Sequence, residues 1–332
     1  MNVKLKSGLK KFLKTFIPLV FGLIVLWLIV NQLDTVEVIS ILKRDVSYWI
    51  ITLSLPFGLF GQIMRAYRWD LLIRPLGYTP KKSNLIYSVF GTYGVNLAFP
   101  RLGEVWRCTM INRYEKIPFT KLIGTMIIDR VADTVTVALI VLAAFVMNVP
   151  YFNSFFAQHP ETYAKLYEIL SSVWFYTGIA VVGLVILFSF WRFKKSSVIK
   201  KINQFLFNIW EGVRTIGQMK DNWLFLFYTL LIWLGYYLYF YICFYAFPFT
   251  ENLGWNRGLI AFGMGSLAMG VPVQGGVGAW PFMIMATLIG FGISRSDAGA
   301  FALSVWTIQA FLFTAAYGLF GVMALPIANR KK

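Results

Sequence analysis

Charge is scarce in this sequence. Only 14% of its 332 residues are Asp, Glu, Lys or Arg, and 58% are hydrophobic; a soluble domain carries about 25% charged residues. That scarcity excludes an ordinary soluble enzyme. Cysteine is scarce too: Cys108 and Cys243 lie far apart, both in or beside apolar segments, so no disulfide framework or metal-ligand spacing follows. The one histidine, His159, stands in a polar stretch without a ligand cluster, and neither a metal nor a cofactor is expected. Short alternating strands are missing, which excludes a transmembrane β-barrel. No acidic ring suited to a pore is visible, which argues against a channel. The lysine-rich start followed by an apolar run looks like a signal peptide. However, Asn31-Gln32-Leu33-Asp34 after that run is not a small-residue cleavage site, so it reads as a retained first helix.

What the sequence does have is a series of apolar runs close to the roughly 20 residues needed to cross a bilayer. The fold class is therefore all-α, a polytopic membrane helical bundle. Lys and Arg number 31 against 14 Asp and Glu, a net charge of +17. In a soluble chain that excess would suggest nucleic acid. Here it reads as the positive-inside rule, with no nucleic-acid partner. Full spans are expected near 16–33, 46–64, 122–149, 173–190, 223–247 and 301–325, with a mixed loop over 34–47. The stripe Ile202, Phe205, Leu206, Ile209, Val213 and Ile216 predicts an amphipathic helix over 198–219, which either binds anionic lipid or connects two spans. One integral domain covers 1–326, with basic tails at 1–15 and 327–332. Both termini are placed in the cytoplasm of a protein of the inner (cytoplasmic) membrane, because most Lys and Arg then fall on that side.

Two pairs of apolar pieces are too short to span. The first, 84–99 and 102–112, is split at Pro100 and has basic flanks at both ends, which predicts a re-entrant hairpin from the inside. The second, 258–270 and 279–291, is split at Val271-Pro272-Val273-Gln274-Gly275-Gly276-Val277-Gly278 and has weakly charged flanks, which predicts a hairpin from the outside. Irregular backbone survives in a membrane only where protein buries it or water reaches it. The element order of the halves, about 16–149 and 173–326, then repeats with inverted orientation, and both breaks share Pro-x-x-Gly-x-Val. Inverted repeats with interrupted helices are a transporter pattern.

Charged residues inside the apolar segments are the other signal. Arg65 and Arg68 precede Trp69 at the end of a span, either as interfacial snorkelling or as headgroup contacts. Asp129 and Asp133 share a helix face with Arg130 beside them, either paired internally or held near the interface by a helix that starts deep in the cytoplasm.

The patterns Arg65-x-x-Arg68-Trp69-x-Leu71-Leu72, Asn96-x-x-x-Pro100-x-x-Gly103-Glu104-x-x-Arg107, Asp129-Arg130-x-x-Asp133 and Pro272-x-x-Gly275-Gly276-Val277-Gly278, in that order, resemble the lysylphosphatidylglycerol synthase transmembrane region, also called the flippase-like family. The resemblance implies an integral membrane protein that moves lipids or lipid-linked groups between leaflets, here without the soluble aminoacyltransferase domain. Two departures stand out: Ala279-Trp280-Pro281 occupy the place of a frequent acidic residue, and Trp306 that of a common arginine.

The expected function is a lipid flippase-like transporter, with no catalytic residue. Its substrate is a membrane phospholipid, anionic or modified, or a lipid-linked glycan. Arg101, Arg107 and Arg68, with Arg65, Asn96, Arg130 and Gln274 alongside, are expected to hold the headgroup. Glu104, Asp129 and Asp133 balance those charges or handle a cationic moiety or a proton. Pro100, Gly103, Pro272, Gly275, Gly276 and Gly278 shape the two half-helices. Charge recognition belongs to the first break, and the second contributes backbone groups. The rivals are a non-catalytic partner of an envelope biosynthetic enzyme or a homo-oligomer, and a membrane-embedded lipid enzyme using Glu104, Asp129 and Asp133.

Overall fold

The computed structural model describes residues 18–149, 220–271 and 273–330, with a few positions between 168 and 181. The expected span 173–190 lies largely outside the described residues, and so do Pro272 and the amphipathic stretch 198–219. The described residues are helical, without a strand. Three helices are long and apolar enough to cross a membrane: Phe119–Met147, Asn222–Ala246 and Arg295–Ala328. A fourth span is reached if the bent pair Pro18–Asn31 and Thr35–Arg44 is counted as one.

Helix α1 (Pro18–Asn31) ends ahead of Asp34 and meets α2 (Thr35–Arg44) at 88°. The stretch 34–47, expected as a loop, is thus mostly helix. Asp34 caps it, its carboxylate accepting from the backbone N–H of Val36 and Glu37 at 3.0 and 3.1 Å. Glu37 in the first turn and Lys43 and Arg44 in the last match the helix dipole.

Helix α3 (Tyr48–Ile73) is longer than the expected span and carries Arg65, Arg68 and Trp69 inside it, all buried. The snorkelling reading is therefore corrected: these arginines turn inward. The first pair of short pieces forms two helices broken near Pro100, α4 (Lys82–Ala98) and α5 (Leu102–Glu115), packed on one another as a hairpin. At 17 and 14 residues, with about 1.5 Å rise each, neither helix covers a bilayer core of about 30 Å. The chain leaves α4 through extended Phe99 and takes a left-handed turn at Arg101, φ 64°. The side-chain oxygen of Asn96 accepts from the Gly103 N–H at 2.8 Å, satisfying one of the free donors of α5. A Cβ on Gly103 would stand 2.1 Å from the Thr92 carbonyl oxygen, so only glycine lets the hairpin close.

Helix α6 (Phe119–Met147) follows, and then α7 (Asn222–Tyr241), which tightens into a 3-10 turn over Ile242–Ala246. The second broken pair is α8 (Gly254–Ala268) and α9 (Ala279–Gly290), joined through Gly275, Gly276 and Gly278, all with positive φ. The last helix begins earlier than expected, as α10 (Arg295–Val305), because Ser294 caps it by accepting from the Asp297 N–H. It runs through a π-helical stretch, Trp306–Phe313, into α11 (Thr314–Ala328).

Packing pairs α3 with α7, α4 with α11, and α8 with α6. The seam between α4 and α11 brings backbone onto backbone at its glycines. A Cβ on Gly94 would stand 2.9 Å from the Gly318 Cα, and one on Gly321 would stand 2.5 Å from the Gly91 nitrogen. One apolar cluster, including Phe240, Phe244, Phe262, Ile284 and Phe301, fills the second-half helices; another, including Trp69, Leu72, Leu85, Ile111, Leu122 and Phe225, surrounds the base of the first hairpin.

Candidate headgroup site

The second cluster encloses charge. Arg65 and Arg68, three apart on α3, meet Asp133 and Asp129, four apart on α6. Arg68 donates to Asp129 Oδ1 at 2.6 Å and to Asp133 Oδ1 at 2.6 Å, and Arg65 donates to Asp133 Oδ2. Each carboxylate is thus held by charge-assisted hydrogen bonds, the stronger kind. Neutral groups complete the arginines. Arg68 donates to Thr229 Oγ1 at 3.2 Å, and Arg65 donates to the Tyr236 hydroxyl at 3.2 Å.

The first hairpin closes the cluster from the side. Arg107 of α5 lies over the Trp69 ring, its guanidinium carbon 4.1 Å from the centroid, and Trp69 itself is fixed by donating to Thr125 Oγ1 at 3.0 Å. Arg107 is fully buried, 3.5 Å from Asp129 Oδ2, and none of its three guanidinium nitrogens has a hydrogen-bond partner among the described residues. Arg130 reaches Asp129 and Asp133 at 3.6 Å and, at the open rim, Glu104 at 3.9 Å. Asn96 donates to Glu104 at 3.4 Å, so the residue that caps α5 also touches the rim. The cluster holds Arg65, Arg68, Arg107 and Arg130 against Glu104, Asp129 and Asp133, one positive charge in excess.

Eight of the ten expected headgroup residues therefore converge. Two are elsewhere. Arg101 is exposed at the left-handed turn, and Gln274 is buried in the second break. Arg101 stands at the hairpin tip as the N-cap of α5, with φ 64°. Asp129 is fully buried and Asp133 nearly so, which favours internal pairing of the two carboxylates. Sequence reasoning missed Thr229 and Tyr236. Their spacing of seven places them on one face of α7, and polar residues at that period in an apolar helix were the available signal.

The two breaks touch. Leu97, just before the first break, packs so closely on Gly275 that a Cβ there would stand 2.7 Å from Leu97 Cδ2. The Trp306 indole N–H donates to the Gly275 carbonyl at 2.8 Å, and Trp280 packs on Gly265. The two tryptophans at the departing positions thus secure the second break by packing and one hydrogen bond. A neutral polar knot lies further along the last helix: Gln309 donates to Ser54 Oγ at 2.8 Å and to the Tyr239 carbonyl at 2.6 Å, with Cys243 Sγ at 3.0 Å. Within the π-helical stretch the Gln309 carbonyl accepts from the Tyr239 and Thr314 hydroxyls, both at 3.0 Å.

Among curated proteins, the chain is similar to glycosyltransferase AglD of Haloferax volcanii, 27% identical over 121 residues; the match covers 36% of this chain and only 19% of that protein. Residues 15–318, nearly the whole chain, match the lysylphosphatidylglycerol synthase TM region, and with the inward-turned arginines and broken hairpins in place the chain belongs to that membrane family.

Proposed function

We propose that this protein moves an anionic phospholipid or lipid-linked glycan between membrane leaflets, holding its headgroup at the Arg107 side of the buried cluster. The observation that carries this reading is Arg107 itself. A fully buried guanidinium without a hydrogen bond, in a cluster already one charge positive, is costly unless an anion completes it. A phosphate supplies both the charge and the acceptors. Arg130 and Glu104 at the rim supply the entrance.

The packing supports an inverted repeat with halves about 16–149 and 173–326. Exchanging the halves turns the α4–α11 contact into the α8–α6 contact and leaves α3 facing α7. In that arrangement the touching breaks are the moving parts, and six spans with two re-entrant pairs put both termini on one side; the Lys and Arg excess there favours the cytoplasmic side of an inner membrane. The likeness to a glycosyltransferase favours a lipid-linked glycan among the substrates. It equally favours a second reading, in which the chain serves as the non-catalytic membrane partner of a glycan-building enzyme. The enzyme alternative is weaker, because arginines occupy Asp129 and Asp133.

Liposomes reconstituted with the full chain and a fluorescent anionic phospholipid test the proposal through bleaching of the outer leaflet. Wild type is expected to expose the inner pool. Arg107→Gln is expected to stop this, whereas Arg113→Gln at the exposed end of α5 is not. Equal exchange by wild type and Arg107→Gln, or none by wild type with any phospholipid or lipid-linked glycan, refutes it.

A further inference from the structure

The wall next to the arginines is neutral, and this says something about the rest of the headgroup. Gln62 lies one turn from Arg65 on α3 and is 5% exposed. Its amide donates to the Tyr317 hydroxyl at 3.5 Å, while its Oε1 has no partner among the described residues. Whichever way the amide is turned, one of its two polar atoms is unpaired. Tyr317 packs edge-on to Tyr93 at 6.2 Å and to Phe90 at 5.5 Å. Tyr93 stands within the field of Arg65, Arg130 and Asp133, and Tyr236 accepts from Arg65 at 3.2 Å. Tyr93, Tyr236 and Tyr317 are all half-buried. Amide and hydroxyl groups therefore continue from the cationic centre without a further charge.

The carboxylates there are already surrounded by arginine. Asp129 and Asp133 each accept from arginine; Asp129 Oδ2, although without a hydrogen bond among the described residues, is ringed by three guanidiniums at 3.5 to 3.8 Å, whose charge opposes an ammonium; and Glu104 faces Arg130 and Asn96. A phosphodiester neutralises the excess charge; a headgroup that also bears an ammonium restores it.

We infer that the headgroup taken by this site is a phosphodiester bearing an uncharged polyol or sugar, not an aminoacylated one, with Arg107 on the phosphate and Gln62, Tyr93, Tyr236 and Tyr317 on the hydroxyls. The inference rests on the headgroup reading above. It separates this chain from the substrate that the family's description suggests. A buried amide left unpaired discriminates strongly against a ligand that lacks the matching hydroxyl.

Native mass spectrometry of the detergent-solubilised full chain tests it, with equimolar phosphatidylinositol, phosphatidylglycerol, phosphatidic acid, lysylphosphatidylglycerol and phosphatidylcholine. Phosphatidylinositol is expected to be retained over phosphatidic acid by at least about fivefold, and phosphatidylglycerol over its lysylated form. Gln62→Leu is expected to bring the inositol-to-phosphatidic-acid ratio near one while anionic lipid still binds. Arg107→Gln is expected to lose the preference for anionic lipid over phosphatidylcholine. Lysylphosphatidylglycerol bound as well as phosphatidylglycerol overturns the inference, and so does an inositol ratio that is already near one in wild type or that Gln62→Leu leaves intact. Retention of the anionic preference by Arg107→Gln sinks the headgroup site itself, a different failure from either.

Discussion

Replacing Asp129 with asparagine removes one negative charge from the centre of the cluster and almost nothing else. The native carboxylate accepts from Arg68 at 2.6 and 3.0 Å through Oδ1, and its Oδ2 lies within 3.8 Å of Arg65, Arg107 and Arg130. After substitution, three buried arginines and half-exposed Arg130 face only Asp133 and Glu104. Breaking a buried ion pair from one side costs roughly 3–5 kcal/mol, and the lower end applies because the asparagine oxygen still accepts from Arg68. About 3 kcal/mol is on the order of a hundredfold in the equilibrium for opening. The two cysteines report it, since Cys108 follows Arg107 in α5 and Cys243 sits by Gln309, and both are buried. A thiol-reactive fluorophore applied in detergent is expected to label Cys108 on the order of a hundredfold faster in Asp129→Asn, with Cys243 lagging behind if the opening stays local. The paired change Arg68→Met with Asp129→Leu removes both charges and is expected to recover most of the loss. If Asp129→Asn labels at the wild-type rate, the carboxylate is hydrated and worth no more than an exposed pair, and the account of a dry cluster is wrong.

Gly103→Ala places a methyl 2.1 Å from the Thr92 carbonyl; the overpacking is expected to cost about 1–3 kcal/mol, read as faster hydrogen exchange at the α4–α5 tip, and unchanged exchange there would refute the close approach. Gln309→Leu leaves Ser54 and the Tyr239 carbonyl with only the weak Cys243 thiol as donor; a loss of about 1–3 kcal/mol is expected, with Cys243 labelled before Cys108, and the reverse order would contradict the knot as described.

The broken hairpins were legible because proline and glycine interrupt apolar pieces too short to span, and both breaks fall where the sequence places them. The charged residues inside apolar segments were legible as a set, though not their direction. The snorkelling reading of Arg65 and Arg68 failed because an arginine at a helix end looks the same whether it faces water or a carboxylate on another helix. The deciding partners, Asp129 and Asp133, lie about sixty residues further along the chain. The position of Arg101 apart from the cluster was not legible for a local reason: a motif shows that a residue is near a break, not that its backbone turns left-handed and that it stays exposed. Helix α2 could have been found from its Asp34 cap and its Val38 and Ile41 spacing, but the mixed charge around it read as loop. Gln62, Tyr93 and Tyr317 carry no charge and sit among many aromatics, so nothing marked them before helices from both halves came together.

The glycine seam between α4 and α11 has a mechanical meaning. Most helix pairs lock by ridges of side chains, and shifting them means forcing side chains across rotamer barriers. Where Gly91 and Gly94 lie on Gly318 and Gly321, backbone rests on backbone, while beside them the rings of Tyr87, Phe90 and Tyr93 interlock with Tyr317 and Phe320. Sliding along that line is therefore opposed by those rings and not by the glycines. Farther along α4, Leu97 is wedged against Gly275, and at its other end the side chain of Asn84 exchanges hydrogen bonds with that of Asn329. The first hairpin is therefore mounted like a slide with a stop at each end and a set of interlocking rings between them.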